Sequence, residues 1–133
     1  MFRWAIRHEL ARAQRPGYGG GKRGAQVTKS QVKSWIKTAR KFGIRSIICL
    51  LDEQHLCLYE RIGGLLSYYR ENGFEVVHVR VRDHQDPPLN KEELRKVVKS
   101  QKKLLGPLLI HCSAGRYRTG YAIRCLKRLL EKG

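Results

Sequence analysis

Residues 108–130 read LLIHCSAGRYRTGYAIRCLKRLL. The stretch divides into a short apolar run, Leu108 to His111, and a helical pattern from Tyr117 in which Ala122, Ile123, Leu126 and Leu130 recur on one face. The first part suits a buried strand and the second an amphipathic helix. Between them the chain turns through Cys112, at the strand's end, and reaches Arg118 as the helix begins. The intervening loop of Ser113, Ala114, Gly115, Arg116 and Tyr117 is short enough to curl so that successive backbone N–H groups point inward. Such a nest at a helix N-terminus favours negative charge, whether that of a bound anion or that of a thiolate. Arg118 adds a planar fork of donors matched to two phosphate oxygens, a geometry that lysine does not reproduce.

The elements on either side repeat the strand-then-helix pattern. Phe2, Trp4 and Ile6 alternate with Arg3, Ala5 and Arg7 as in a half-buried strand, followed by a long loop. Thr28 with Gln31 forms a capping box ahead of Val32, Trp35, Ile36 and Ala39, and Gly43 offers the stop. Ile44 to Leu51 is an apolar run suited to a strand covered on both faces. Residues Leu56 to Asn72 read as a second helix despite Gly63 and Gly64, and Phe74 to Val81 as another strand. Asn90 caps a third helix carrying Leu94, Val97, Val98 and Leu104, which Gly106 and Pro107 end. Strands alternating with helices predict an α/β domain with a largely parallel sheet and helices on both faces. Sites in such sheets lie at the carboxyl ends of the strands.

At 133 residues the chain has room for one compact domain, expected to span 1–133. Its 28 Lys and Arg against 11 Asp and Glu give a formal charge of +17, which favours polyanionic partners, the plain alternative being a solubilising surface. The four cysteines (Cys49, Cys57, Cys112, Cys125) form no C-x-x-C pair and no regular framework, so a zinc knuckle and a secreted disulfide scaffold are both disfavoured. A reducing, cytoplasmic location is expected, with no membrane span. The glycine-rich stretch Arg15 to Gly24 lacks the Gly-Lys-Ser/Thr ending of a nucleotide-binding loop and reads as a flexible connection. His55, His78 and His84 show no metal-ligand spacing, so neither metal nor cofactor is expected.

The segment His-Cys-x-x-Gly-x-x-Arg-Thr-Gly at His111 to Gly120 resembles the signature of the protein tyrosine and dual-specificity phosphatase superfamily, and the whole chain is similar to the small atypical dual-specificity enzymes. The resemblance implies a protein tyrosine phosphatase-like fold, attack by Cys112 on phosphorus, and a phosphocysteine intermediate. It further implies clamping of the phosphate by Arg118 and the loop Ser113 to Tyr117, assistance from the Thr119 hydroxyl in breaking down the intermediate, and tuning of the cysteine by His111. The substrate class implied is a phosphotyrosine or phosphoserine/phosphothreonine protein, with an RNA 5′-triphosphate or a phosphoinositide as alternatives that the positive charge encourages. Where many members carry glycine before the arginine, this chain has Tyr117. Arg116 adds a charge that suits a substrate with more than one phosphate or else points to solvent.

A departing alkoxide or phenoxide needs a proton, which a carboxylic acid on a loop near the nucleophile supplies. Asp83 and Asp86, in Arg82 to Leu89 (RDHQDPPL), are the candidates. Similarity to the acid loop of small dual-specificity enzymes selects Asp83; Asp86 serves if the loop bends differently, and either residue also suits an ordinary turn. Cys49 ends a neighbouring predicted strand, where some lipid-phosphatase relatives carry a cysteine that pairs with the nucleophile on oxidation; the plain alternative is a core residue. Two readings of other classes stand beside the enzyme: a non-catalytic phosphate-binding module, and a nucleic-acid binder using its dispersed basic surface.

Overall fold

The computed structural model describes residues 1–22 and 24–132. Its elements in chain order are β1 (Arg3–Ile6), β2 (Leu10–Ala13), α1 (Lys29–Lys41), β3 (Ser46–Cys49), α2 (Glu53–Leu56), α3 (Leu65–Glu71), β4 (Glu75–His78), α4 (Lys91–Lys103), β5 (Leu108–His111) and α5 (Tyr117–Lys132). A 3₁₀ turn, Cys57–Ile62, joins α2 to α3. The strands form one five-stranded sheet in the order β1-β2-β5-β3-β4. Only β1 and β2 pair antiparallel; the remaining neighbours are parallel. The expected class, a largely parallel α/β sheet between helices, is the one observed.

Side-chain alternation along the central strands sorts the core into two layers. Ile47 and Cys49 of β3 and Leu109 of β5 face Val32, Trp35, Ile36 and Ala39 of α1 and Tyr68 and Tyr69 of α3. Ile48 of β3 and Leu108 and Ile110 of β5 face Val97 of α4 and Ala122, Ile123 and Leu126 of α5. The buried stripe expected in residues 28–43 is therefore the one that packs. Its capping box is complete, with Gln31 N–H donating to Thr28 Oγ1 and Thr28 N–H to Gln31 Oε1. Asn90 and Glu93 cap α4 in the same reciprocal way.

Two expectations need correction. The N-terminal strand is not followed directly by a loop: the chain reverses into β2, which lies between β1 and β5. The helix expected over 56–72 is broken, because Gly63 (φ +85°) and Gly64 (φ +98°) take conformations outside the helical region and divide a 3₁₀ turn from α3. The register aligns Ala13, His111, Cys49 and His78 along one edge of the sheet, at the carboxyl ends of β2, β5, β3 and β4. The loops that leave this edge build the site.

Candidate active site

β5 delivers Cys112 and α5 delivers Arg118 to the floor of a cavity of about 720 Å³. Both are buried, each 3% exposed. The loop between them keeps its shape through contacts with β2 and the residues just after it. Gly115 holds φ +75°, and a Cβ there would meet Ala13 O at 2.6 Å, so glycine is required both by conformation and by space. Arg12 Nη2 donates to Gly115 O at 2.6 Å and approaches Arg116 O at 3.3 Å. Arg15 N–H donates to Ser113 O at 2.8 Å, and its Nε donates to Ser113 Oγ at 3.1 Å. Arg15 is fixed in turn by Tyr59, whose hydroxyl accepts from Nη1 and donates to Pro16 O.

Arg118 is aimed by backbone. Its Nη1 donates to Leu50 O (3.2 Å) and Val81 O (2.8 Å), leaving Nη2 to face Asp83 Oδ1 at 3.3 Å. Asp83 lines the cavity, whereas Asp86 is exposed and lies away from it. Of the two carboxylates left open by the sequence, Asp83 is the one the fold brings to the phosphate loop. Asp83 is held by its own N–H, which donates to Asp52 Oδ2 at 3.1 Å. Burial alone would raise the Asp52 carboxyl, but the Asp83 N–H and the charge of Arg118 outweigh it and hold the group below its ordinary value.

Behind Cys112, His111 is fully buried. Its Nδ1 faces Cys112 O at 3.0 Å and its Nε2 faces the Tyr69 hydroxyl at 2.9 Å. A carbonyl only accepts, so Nδ1 carries the proton and Nε2 accepts from Tyr69. Burial pushes the imidazole down to about 4 despite the favourable contact with Cys112 O. Thr119 Oγ1 is buried with no hydrogen-bond partner among the described residues, which leaves its hydroxyl free for a ligand in the loop. Tyr117, in the position before the arginine, is 74% exposed and lines the cavity. Arg116 is exposed and also lines the cavity.

Cys49 lies across the sheet from His111 and packs in the layer with α1 and α3, while Cys112 packs in the other layer. Complete burial pushes the Cys49 thiol up to about 12, and both cysteines are free. The glycine-rich stretch is more than a connection: Gly17 to Gly21, with Lys22, forms one wall of the cavity. Arg12, Arg15, Asp52, Tyr59 and Tyr69 were not expected in the site. Nothing local marks them, because each acts on a residue 31 or more positions away.

A cysteine at a strand end, an arginine six positions on at a helix start and an aspartate facing it across one cavity define the protein tyrosine/dual-specificity phosphatase class. Residues 21–133 match the family described as DSP-PTPase phosphatase fused to NAD+ kinase, and the chain belongs to that family. Kinase-associated phosphatase, solved with serine in place of its catalytic cysteine, has a similar structure, with a TM-score of 0.71 and 21% identity over 91% of this chain and 65% of that one. The core catalytic domain of the PP-IP phosphatase SIW14 from S. cerevisiae, in complex with citrate, gives a TM-score of 0.62 and 20% identity over 96% of this chain and 65% of that one. A second structure of the Siw14 catalytic core gives 0.60 and 20%, over 98% and 66%. At such identities the likeness establishes the fold. This chain spans only 65 to 66% of the length of those solved chains. Among the described residues no helix is long and apolar enough to cross a membrane.

Proposed function

We propose that the protein hydrolyses phosphate monoesters through a phosphocysteine intermediate. The observation that carries the reading is the meeting of Cys112, Arg118 and Asp83 in one cavity at the N-terminus of α5. The substrate phosphate sits in the loop's backbone nest, with Arg118 turning its fork from Asp83 to two equatorial oxygens. Cys112 Sγ attacks phosphorus, the bond to the leaving oxygen breaks, and Asp83 supplies the proton that oxygen needs. Water then attacks the phosphocysteine, Sγ departs as thiolate with the Thr119 hydroxyl supporting it, and inorganic phosphate leaves. A reducing, cytoplasmic setting keeps Cys112 competent, and a proposed protective side path is two-electron oxidation by a peroxide, which makes the Cys112 sulfenic acid and then, as the Cys49 thiol attacks and water leaves, a disulfide. Its support is the position of Cys49 opposite His111, next to the nucleophile.

The first substrate class is a phosphotyrosine or phosphoserine/phosphothreonine protein, as the family resemblance suggests. A second reading, a ligand with several phosphates such as an RNA 5′-triphosphate or a phosphoinositide, is favoured by the cavity wall. Arg15, Lys22 and Arg116 line it beyond the pair formed by Arg118 and Asp83. Release of phosphate from para-nitrophenyl phosphate, in reductant and without metal, tests the common reaction by comparing wild type with Cys112→Ser. Activity abolished by the substitution supports the cysteine mechanism. Phosphate bound with no turnover in wild type replaces it with a non-catalytic binding module. Relative kcat/KM for a tyrosine-phosphorylated peptide and a polyphosphorylated substrate then separates the two substrate classes.

A further inference from the structure

The cavity holds a histidine that this mechanism leaves unused. His55, in α2, lines it together with Cys112, Asp83 and Arg118. Asp52, the N-cap residue of α2, is 9% exposed and stands behind it. While Asp52 Oδ2 accepts from Asp83 N–H, its Oδ1 lies 3.3 Å from His55 Nδ1. The approach is close without being aligned as a hydrogen bond, and both atoms are buried with no other partner among the described residues. A carboxylate only accepts, so Nδ1 is the nitrogen that can donate to Asp52 once the pair aligns, and Nε2 is the one left for the cavity that His55 lines. One carboxylate thus holds the Asp83 loop through its backbone and stands 3.3 Å from an imidazole nitrogen.

We propose that His55, oriented by Asp52, is a second proton-carrying group for the leaving oxygen, acting beside Asp83. The inference rests on the phosphatase reading above. Four charged groups face His55: Asp52 and Asp83 favour its protonated form, while Arg15 and Arg118 oppose it. In the free protein burial and the arginines prevail, and the ring is held below its ordinary value. A phosphate dianion in the nest engages Arg118 and adds negative charge beside the ring, which draws a proton onto Nε2. As the Sγ–P bond forms and the P–O bond breaks, that proton passes to the departing oxygen in place of the one Asp83 would otherwise give, so each turnover uses one donor or the other, and His55 is left neutral with its remaining proton on Nδ1. In the second step Nε2 takes a proton from the attacking water as the P–S bond breaks and the thiolate leaves. Asp83 Oδ1, by contrast, already accepts from the His84 N–H at 3.1 Å and lies 3.3 Å from Arg118 Nη2 as an ion pair.

The test compares full-length wild type, His55→Asn and Asp52→Asn on phenyl phosphate, whose leaving group needs protonation, and on para-nitrophenyl phosphate, whose leaving group needs it far less. His55→Asn is expected to lower kcat/KM by about 10- to 100-fold on phenyl phosphate and by only a few fold on the nitrophenyl ester. A comparable further loss on phenyl phosphate is expected in an Asp83→Asn background. Asp52→Asn, which keeps the shape and removes the charge, is expected to move the histidine limb of the pH–kcat profile to lower pH. Equal loss on both esters, or none on either, would overturn the assignment of His55. An unmoved limb in Asp52→Asn would overturn the pairing. Cys112→Ser run alongside keeps the two readings apart, because activity that survives this substitution removes the cysteine mechanism itself.

Discussion

Asp83 Oδ1 lies 3.3 Å from Arg118 Nη2, so the residue proposed to supply the proton is paired with the residue proposed to clamp the phosphate. An incoming phosphate competes with that carboxylate for the guanidinium fork. Asp83→Asn is therefore expected to have two opposite effects: turnover of phenyl phosphate falls roughly 100-fold, while inorganic phosphate binds at least as tightly as to wild type. Steady-state kinetics and phosphate titration measure both, and near-normal turnover would remove Asp83 from the mechanism.

The loop's geometry depends on Gly115. Alanine there places a methyl group 2.6 Å from Ala13 O in a left-handed backbone conformation, so Gly115→Ala is expected to lose activity and to destabilise the fold by ~3 kcal/mol. Urea unfolding checks the second part. Arg12→Met leaves the glycine in place but removes two donors from the loop carbonyls, and is expected to raise KM about 10-fold with a smaller change in stability.

His111 makes the fold sensitive to acid. Burial pushes its ring down to about 4 in the folded chain from the ordinary 6.5, so the unfolded state binds more protons between those limits. Stability contributed by the neutral ring is complete above pH 6.5 and is lost as pH falls toward 4, amounting to ~3 kcal/mol across the window. Urea midpoints at pH 7 and pH 5 should separate more for wild type than for His111→Gln, in which nothing titrates at that position. Equal separation would show that other groups set the acid limit.

Thr119 Oγ1 has no partner among the described residues, so Thr119→Ala removes no structural hydrogen bond visible in the free site. Its expected effect is kinetic. The phosphocysteine should accumulate, giving a burst of nitrophenolate followed by a slow steady state, and stopped-flow absorbance detects it. Loss of the burst together with loss of steady-state turnover would place the hydroxyl in the attack step.

The parts legible in the sequence are those whose signal is local. The strand–loop–helix of residues 108–130, the capping box at Thr28, the N-cap at Asn90, and the spacing of Cys112 from Arg118 each depend on neighbours a few positions apart, and each is found as expected. β2 was missed because LARA shows no alternation: three of its residues are buried, and Arg12 is spent on the loop's carbonyls. The break at Gly63 and Gly64 was outweighed in the sequence by the apolar stripe running across it. The choice between Asp83 and Asp86 stayed open for a different reason. It turns on how a loop containing Pro87 and Pro88 lies beside Arg118, where Asp83 N–H donates to Asp52, 31 positions earlier. The wall role of the glycine stretch has the same nonlocal origin.

β2 has a practical consequence for any shortened form of this chain. Its pairing with β5 makes the segment carrying the nucleophile an interior strand, although Leu10–Ala13 lies near the start of the chain. Trimming to a start after Ala13 would strip Arg12 from the loop and turn β5, fully apolar from Leu108 to Ile110, into an open edge with unpaired N–H and C=O groups. Such an edge recruits strands from other copies of the protein. Fragments designed around the signature motif alone are thus expected to come out as insoluble aggregates, whereas forms that keep the first two strands should remain dispersed.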